Sequence, residues 1–217
     1  MSNETTKLLI SEIFYSLQGE STQAGLPCAM VRLTGCNLRC VWCDTEYSFQ
    51  GGMWLTIDEI LGRVSKFPTR RVEITGGEPL LQAATPELAR RFLDEGYQVL
   101  CETSGERDIG RLPRGVKRIV DFKPPGSGEH ERNLWSNVEH LQRTDEVKFV
   151  VSDRGDFDWM LGVIDAYALL DRAPVLVSPV HDVLEPKRLA EWILESGLDL
   201  RLNLQLHKYV WGLERGR

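Results

Sequence analysis

Over the first 54 positions the apolar residues fall in short runs broken by Gly, Asn and Cys, and AMVRL at 29–33 is the clearest strand among them. From position 56 the period changes. Ile57, Ile60, Leu61 and Val64 share one helical face, and Thr56 and Glu59 stand at capping-box spacing, so a helix is expected over 56–66. Strands then alternate with helices: RVEI at 71–74, a helix opened by Thr85-Pro86 and running to about 95, YQVLC at 97–101 and RIVDF at 118–122. A helix over 134–142, EVKFVV at 146–151, a helix over 156–170, PVLVS at 174–178, a helix over 186–196 and LRLNL at 200–204 complete the series. Such alternation implies parallel strands joined by right-handed crossovers. About six units are too few to close an eight-stranded ring, so the expected fold is α/β, a partial, open β/α barrel, with a doubly wound sheet as the competitor. Either architecture puts a ligand site at the C-terminal ends of the strands.

The 217 residues fit one domain, 1–217, with a cysteine loop at 35–45 and a C-terminal tail at 204–217; no repeat or low-complexity linker divides the sequence. Hydrophobic residues at 42% and charged residues at 27% are ordinary for a folded, soluble chain and argue against disorder. The net charge of -6 gives no global attraction to nucleic acid or anionic lipid. MSNETTKLLI lacks the charged-then-apolar layout of a leader, and no run approaches the ~18 apolar residues of a membrane span, so the expected compartment is the cytoplasm.

Five cysteines without a secretion signal point toward metal or redox chemistry rather than a disulfide framework. Cys36, Cys40 and Cys43 lie within eight residues, close enough for one loop to wrap an inorganic centre. Thiolates are the usual ligands of iron-sulfur clusters, and three of them on a four-iron cubane leave one iron open for chemistry. The competing reading is a structural zinc site, which wants four closed ligands. Cys28 is eight residues upstream, Cys101 ends a distant strand, and no His is near in sequence, so Cys28 and Cys101 read as ordinary buried cysteines.

Ile74-Thr75-Gly76-Gly77-Glu78-Pro79 follows a strand and precedes the Thr85 helix. Its paired glycines let backbone approach a ligand closely, and Glu78 can brace the turn. It matches neither a P-loop nor a dinucleotide fingerprint. Taken alone it also reads as a plain strand-to-helix connection. Further polar residues stand at strand ends: Glu102 to Gly105, Asp121 with Lys123, and Ser178-Pro179-Val180-His181.

The CxxxCxxC spacing, with Trp42 just before the last cysteine, resembles the signature of the radical S-adenosylmethionine (SAM) superfamily, and GGEP at 76–79 resembles the motif that binds the SAM amino group there. Three further segments narrow the resemblance: Ile13-Phe14-Tyr15-Ser16-Leu17-Gln18-Gly19-Glu20, Val31-Arg32-Leu33 and Cys43-Asp44-Thr45. With Leu204-Gln205-Leu206-His207-Lys208-Tyr209 near the C-terminus, the chain resembles the 7-carboxy-7-deazaguanine synthase family over nearly its whole length.

The resemblance implies a SAM- and magnesium-dependent radical ring contraction of 6-carboxy-5,6,7,8-tetrahydropterin to 7-carboxy-7-deazaguanine, with loss of ammonia, in queuosine and 7-deazapurine biosynthesis. It implies a 4Fe-4S cluster on Cys36, Cys40 and Cys43, and magnesium on the hydroxyl of Thr45, a hard donor suited to that ion. Leu17, Gln18, Gly19, Glu20, Arg32 and Thr75 would bind the pterin, the guanidinium suiting its carboxylate. Trp42, Gly76, Gly77, Glu78, Ser104, Asp121, Lys123, Ser178, Pro179, Val180 and His181 would line SAM. Some family members carry Ser-Pro-Lys and Gln-Pro-Met where this chain has Asp121-Phe122-Lys123 and Ser178-Pro179-Val180, and some end soon after the Lys-Tyr pair. An electron donor such as flavodoxin or ferredoxin and a homodimer are also implied. The rivals are a glycyl-radical-enzyme activase and a non-catalytic zinc-binding module.

Overall fold

The computed structural model describes residues 6–212 and 214–216; residues 1–5, the first half of the MSNETTKLLI segment, and Leu213 and Arg217 of the tail lie outside it. Nine strands form one open sheet in the order β3-β1-β2-β4-β5-β6-β7-β8-β9. The strands are β1 (Lys7–Leu17), β2 (Pro27–Leu33), β3 (Met53–Thr56), β4 (Arg71–Gly76) and β5 (Gln98–Thr103), then β6 (Lys117–Asp121), β7 (Glu146–Val151), β8 (Val175–Pro179) and β9 (Leu200–Leu202). Pairing is parallel from β2 through β9, and β1 runs antiparallel to both β2 and β3. The sheet is therefore the expected open α/β arrangement, widened at one edge by two strands. No described helix is long and apolar enough to cross a membrane.

The helices are α1 (Ile57–Val64), α2 (Thr85–Asp94), α3 (Arg154–Tyr167), α4 (Leu169–Arg172), α5 (Pro186–Ser196) and α6 (Leu206–Trp211). Thr56 and Glu59 close the capping box on α1, each side chain answering the other's backbone N–H, which stabilises a helix start by about 0.5–2 kcal/mol. The helix expected over 156–170 breaks at Ala168, whose φ of 47° is left-handed, and resumes as α4. The segment expected as a helix at 134–142 is a 3-10 helix over Trp135–His140. Trp135 stacks there on Phe122 and Tyr167, so packing of one large ring sets the conformation.

Two edge strands lie outside the expected series. β1 is the longest strand in the sheet, and its apolar alternation changes phase: Leu8 and Ile10 are buried, whereas beyond the register shift between Ile10 and Glu12 the core-facing residue is Ile13. A bulge inserts one residue and inverts the alternation behind it, so a strict period of two misses the strand.

One residue parity faces the helices. Val72 and Ile74, Val99 and Cys101, Val147 and Phe149, and Val175 and Val177 pack with Ile60, Leu88, Phe92, Phe157, Met160 and Leu189 into one apolar core. The opposite parity presents Arg32, Glu73, Thr75, Glu102, Asp121 and Lys148 to the other face. Alternation along a strand separates the two sets, and the polar set is the floor of a site.

Candidate active site

A cavity of about 930 Å³ opens over the C-terminal halves of the parallel strands, near the top of the ~300–1,000 Å³ range of small-molecule pockets. Its walls include Cys36, Cys40 and Cys43, and also Trp42, Thr45, Gly76, Gly77, Ser104, Asp121, Lys123, Val180 and His181. Leu17, Gln18, Gly19, Glu20, Arg32 and Thr75 line the same space. The two groups of expected contacts therefore share one chamber.

Glu78, Ser178 and Pro179 are placed otherwise. The Glu78 carboxylate is fully buried and accepts from Leu80 N, Thr103 Oγ1, Ser104 N and Ser104 Oγ at 2.7–2.9 Å. It braces the turn, behind the wall that Gly76 and Gly77 form. Burial raises the Glu78 carboxyl above its usual range, and the hydrogen bonds from Ser104, Leu80 and Thr103 oppose that rise. Ser178 is buried and its hydroxyl accepts from Asn203 Nδ2 at 2.8 Å, and Pro179 is buried beside it.

The cysteine loop and the glycine turn are laced together. Gly77 N donates to Leu33 O and Glu78 N to Gly35 O, while Gly35 N donates to Ser48 O. A Cβ on Gly77 would stand 2.4 Å from Gly35 O and 2.6 Å from Cys36 Cβ, so only glycine permits this approach. The far side of the loop is held by Arg39 N to Glu129 Oε1 at 2.6 Å and Val41 N to Ser127 O at 3.1 Å. The Arg39 guanidinium lies 4.2 Å from the centre of the Phe49 ring, a cation–π contact.

The donor set fits a cluster. The three cysteines are unpaired, partly exposed and share one cavity wall, whereas Cys28 and Cys101 are fully buried. Three cysteines are one short of the four closed ligands of a structural zinc site. Burial pushes the Cys36 thiol up and takes Cys40 to about 11, the latter against the pull of Lys123, so ligation here is coupled to proton release. The cavity also contains an acceptor with no protein donor: Asp121 Oδ1 is buried and unpartnered while Oδ2 is 3.0 Å from Lys123 Nζ. Burial alone would lower Lys123, but Asp121 and Cys40 outweigh it and take it up to about 12.

Several residues of the chamber carry no sequence motif. Lys148 reaches Glu20 Oε2 at 2.7 Å, Asp121 Oδ2 at 3.4 Å and the Glu102 carboxylate. Burial opposes its charge, yet the surrounding carboxylates hold it protonated well above the usual lysine range. Glu73 is buried beside Gln18 and Glu102. The signal was present in the sequence, since Glu73, Glu102 and Lys148 interrupt apolar strands of a parallel sheet, where charge is unusual. Their partners come from different strands and follow only from sheet order.

Arg32 gives its Nε to Glu12 Oε1 at 2.7 Å across the β1–β2 pair, and Tyr47 donates its hydroxyl to the same oxygen at 2.8 Å. Arg32 also lines the cavity. From the C-terminal segment, Gln205 donates to Glu20 Oε1 at 2.9 Å, Lys208 pairs with Asp44 at 2.7 Å, and Leu206 N donates to Gly19 O at 2.7 Å. The Lys-Tyr region therefore folds back over the 17–20 turn. Deeper in, Thr22 and Lys117 both engage the buried Glu146, which anchors the 18–26 loop to the inner face of the sheet.

The Radical SAM superfamily model matches residues 30–124, which include the cysteine loop and the glycine turn. The chain is 45% identical to the 7-carboxy-7-deazaguanine synthase of Koribacter versatilis, covering 93% of this chain and 96% of that protein. It is likewise 45% identical to the 7-carboxy-7-deazaguanine synthase of Chlorobaculum tepidum, covering 97% of each. Its fold is similar to that of QueE from Escherichia coli, with a TM-score of 0.76 at 22% identity over 95% of this chain and 100% of that one.

Proposed function

The chain belongs to the 7-carboxy-7-deazaguanine synthase family of radical SAM enzymes, and from that premise we propose a division of labour among the residues of its cavity. The enzyme makes 7-carboxy-7-deazaguanine and uses a 4Fe-4S cluster and SAM. The observation that carries the residue assignments is the shared chamber, which three cysteines and the Gln18–Arg32–Thr75 set line together.

Cys36, Cys40 and Cys43 hold the cluster. A bound cluster and SAM would supply one-electron radical chemistry at this site. Gly76 and Gly77 would let backbone approach SAM, Asp121 Oδ1 is free to accept one of its donors, and Trp42, Ser104, Lys123, Val180 and His181 would complete its walls. Glu78, Ser178 and Pro179 support this surface from behind. Arg32, preoriented by Glu12, receives the substrate carboxylate. Leu17, Gln18, Gly19, Glu20 and Thr75 hold the ring system.

Thr45 would ligate magnesium through its hydroxyl, a hard oxygen donor suited to that ion. Thr45 lines the cavity, and among the described residues its hydroxyl has one side-chain hydrogen-bond partner, Cys43 Sγ at 3.8 Å, so it is open to a hard cation. Reduction by a flavodoxin or ferredoxin, a homodimeric state and a cytoplasmic location complete the proposal.

The test is an anaerobic assay of reconstituted protein with reductant, SAM, magnesium and 6-carboxy-5,6,7,8-tetrahydropterin. Carboxydeazaguanine should accumulate, Cys40→Ala should assemble no cluster, and Thr45→Ala should lose magnesium dependence while retaining SAM. No product, together with a glycyl radical on a partner protein, would overturn the reading in favour of an activase.

A further inference from the structure

Of the charged groups lining the cavity, Glu20, Glu73, Glu102 and Asp121 gather with Lys148 and Lys123, apart from Asp44, which pairs with Lys208, and Asp153, which caps α3. Arg32 adds no net charge, because it is paired with Glu12. Fully ionised, the set has two more negative than positive charges, and a buried carboxylate without a cation takes up a proton in preference to remaining charged. Glu73 is the candidate. It is 1% exposed, and among the described residues no ion pair reaches it, whereas each of the other three touches Lys148.

Its neighbours require a donor. β4 and β5 pair with Glu73 opposite Leu100, so Glu102 stands one same-face step further along β5, and both carboxyl groups line the cavity floor. Two buried carboxyls on adjacent positions of one sheet face favour sharing a proton over carrying two charges. Hydrogen bonds supply the rest of a ring: Glu20 N donates to Gln18 Oε1, Gln18 Nε2 to Glu73 Oε2, and Lys148 donates to both Glu102 and Glu20, so a proton shared between Glu73 and Glu102 closes it.

We propose that Glu73 is a neutral carboxylic acid, a positioning residue whose proton bridges to Glu102 and closes this ring, leaving Glu20 and Glu102 as fixed acceptors for the N–H donors of an amino-substituted heterocycle. The choice of ligand rests on the pterin reading above; the protonation does not. Burial raises Glu73 well above the usual range and the negative charges of Glu102 and Glu20 add to the rise, while the hydrogen bond from Gln18 opposes it. The titratable groups facing it are Glu102 and Cys101 from β5, Cys28 and Arg32 from β2, Glu20 from the loop, and Lys148 from β7 through Glu102.

Glu73→Gln keeps the shape and an N–H donor while removing the ionisable group. In the reconstituted holoenzyme without substrate, the infrared difference spectrum of wild type against Glu73→Gln at neutral pH should show the carbonyl stretch of a protonated carboxyl in wild type only. An acid whose folded pKa is raised stabilises the fold less as pH climbs past its unfolded value. Wild type should therefore lose thermal stability relative to Glu73→Gln as pH rises above the usual 4.5. The KM for the pterin should rise in alkali for wild type and stay flat for Glu73→Gln, with Glu73→Ala raising it about tenfold and sparing kcat. A band of equal strength in Glu73→Gln, or a tenfold rise in KM for that variant at neutral pH, overturns the proposal. If wild type forms no carboxydeazaguanine, the pterin reading fails and the infrared band still decides the protonation state.

Discussion

Glu78 and Ser104 are joined twice: the carboxylate accepts from Ser104 N at 2.8 Å and from Ser104 Oγ at 2.7 Å. This pair ties the glycine turn after β4 to the end of β5 and so fixes two neighbouring segments of the cavity wall. Removing the carboxylate leaves the donors of Leu80, Thr103 and Ser104 buried without partners. Glu78→Ala should cost about 2–4 kcal/mol, read from denaturant midpoints, and Glu78→Gln should cost less because one acceptor oxygen remains.

Gly77→Ala tests the contact between the glycine turn and the cysteine loop. The added methyl would lie 2.4 Å from Gly35 O, a backbone atom that cannot swing aside. The loop must move by several tenths of an ångström or more, so cluster content after anaerobic reconstitution should fall, measured as iron per chain and visible absorption. Far-ultraviolet circular dichroism should be unchanged, because the displacement is confined to a loop.

Lys148→Met leaves Glu20, Glu102 and Asp121 without their shared cation. Removing one partner of a buried charge set costs roughly 3–5 kcal/mol, and chemical denaturation should show a loss in that range at neutral pH. Burial works against ionisation of Glu20, but Lys148 and Gln205 lower its pKa overall. A carboxylate with a lowered folded pKa contributes stability above its unfolded value and loses it as pH falls. The gap between variant and wild type should therefore narrow below about pH 4.5.

His207 supplies a second pH signature. Burial holds its pKa below the usual 6.5, against the pull of Glu20 and Asp44, so the folded state favours neutral imidazole. Its protonation in the unfolded chain costs stability as pH falls through 6.5. Wild type should lose stability there relative to His207→Gln, with the two converging above neutrality in thermal melts followed across pH.

What the sequence determined by itself was local. Cys36, Cys40 and Cys43 within one loop, the paired glycines at 76 and 77, and the Thr56–Glu59 capping box are spacings of a few residues, and short-range spacing survives in any tertiary context. The seven parallel strands were legible for the same reason, each being a short apolar run between turn signals. Tertiary structure decided matters of phase and partnership. The bulge between Ile10 and Glu12 hid β1, and the orientation of the wall turned Glu78, Ser178 and Pro179 behind the surface while leaving Val180 and His181 in it. The chain carries Glu20, Glu73, Glu102 and Lys148 on four separate segments, and only the order β1-β2-β4-β5-β6-β7 brings them to one floor. Sheet register is a non-local quantity, set by which strands pair, so the charge balance that governs this site exists only after the sheet has formed.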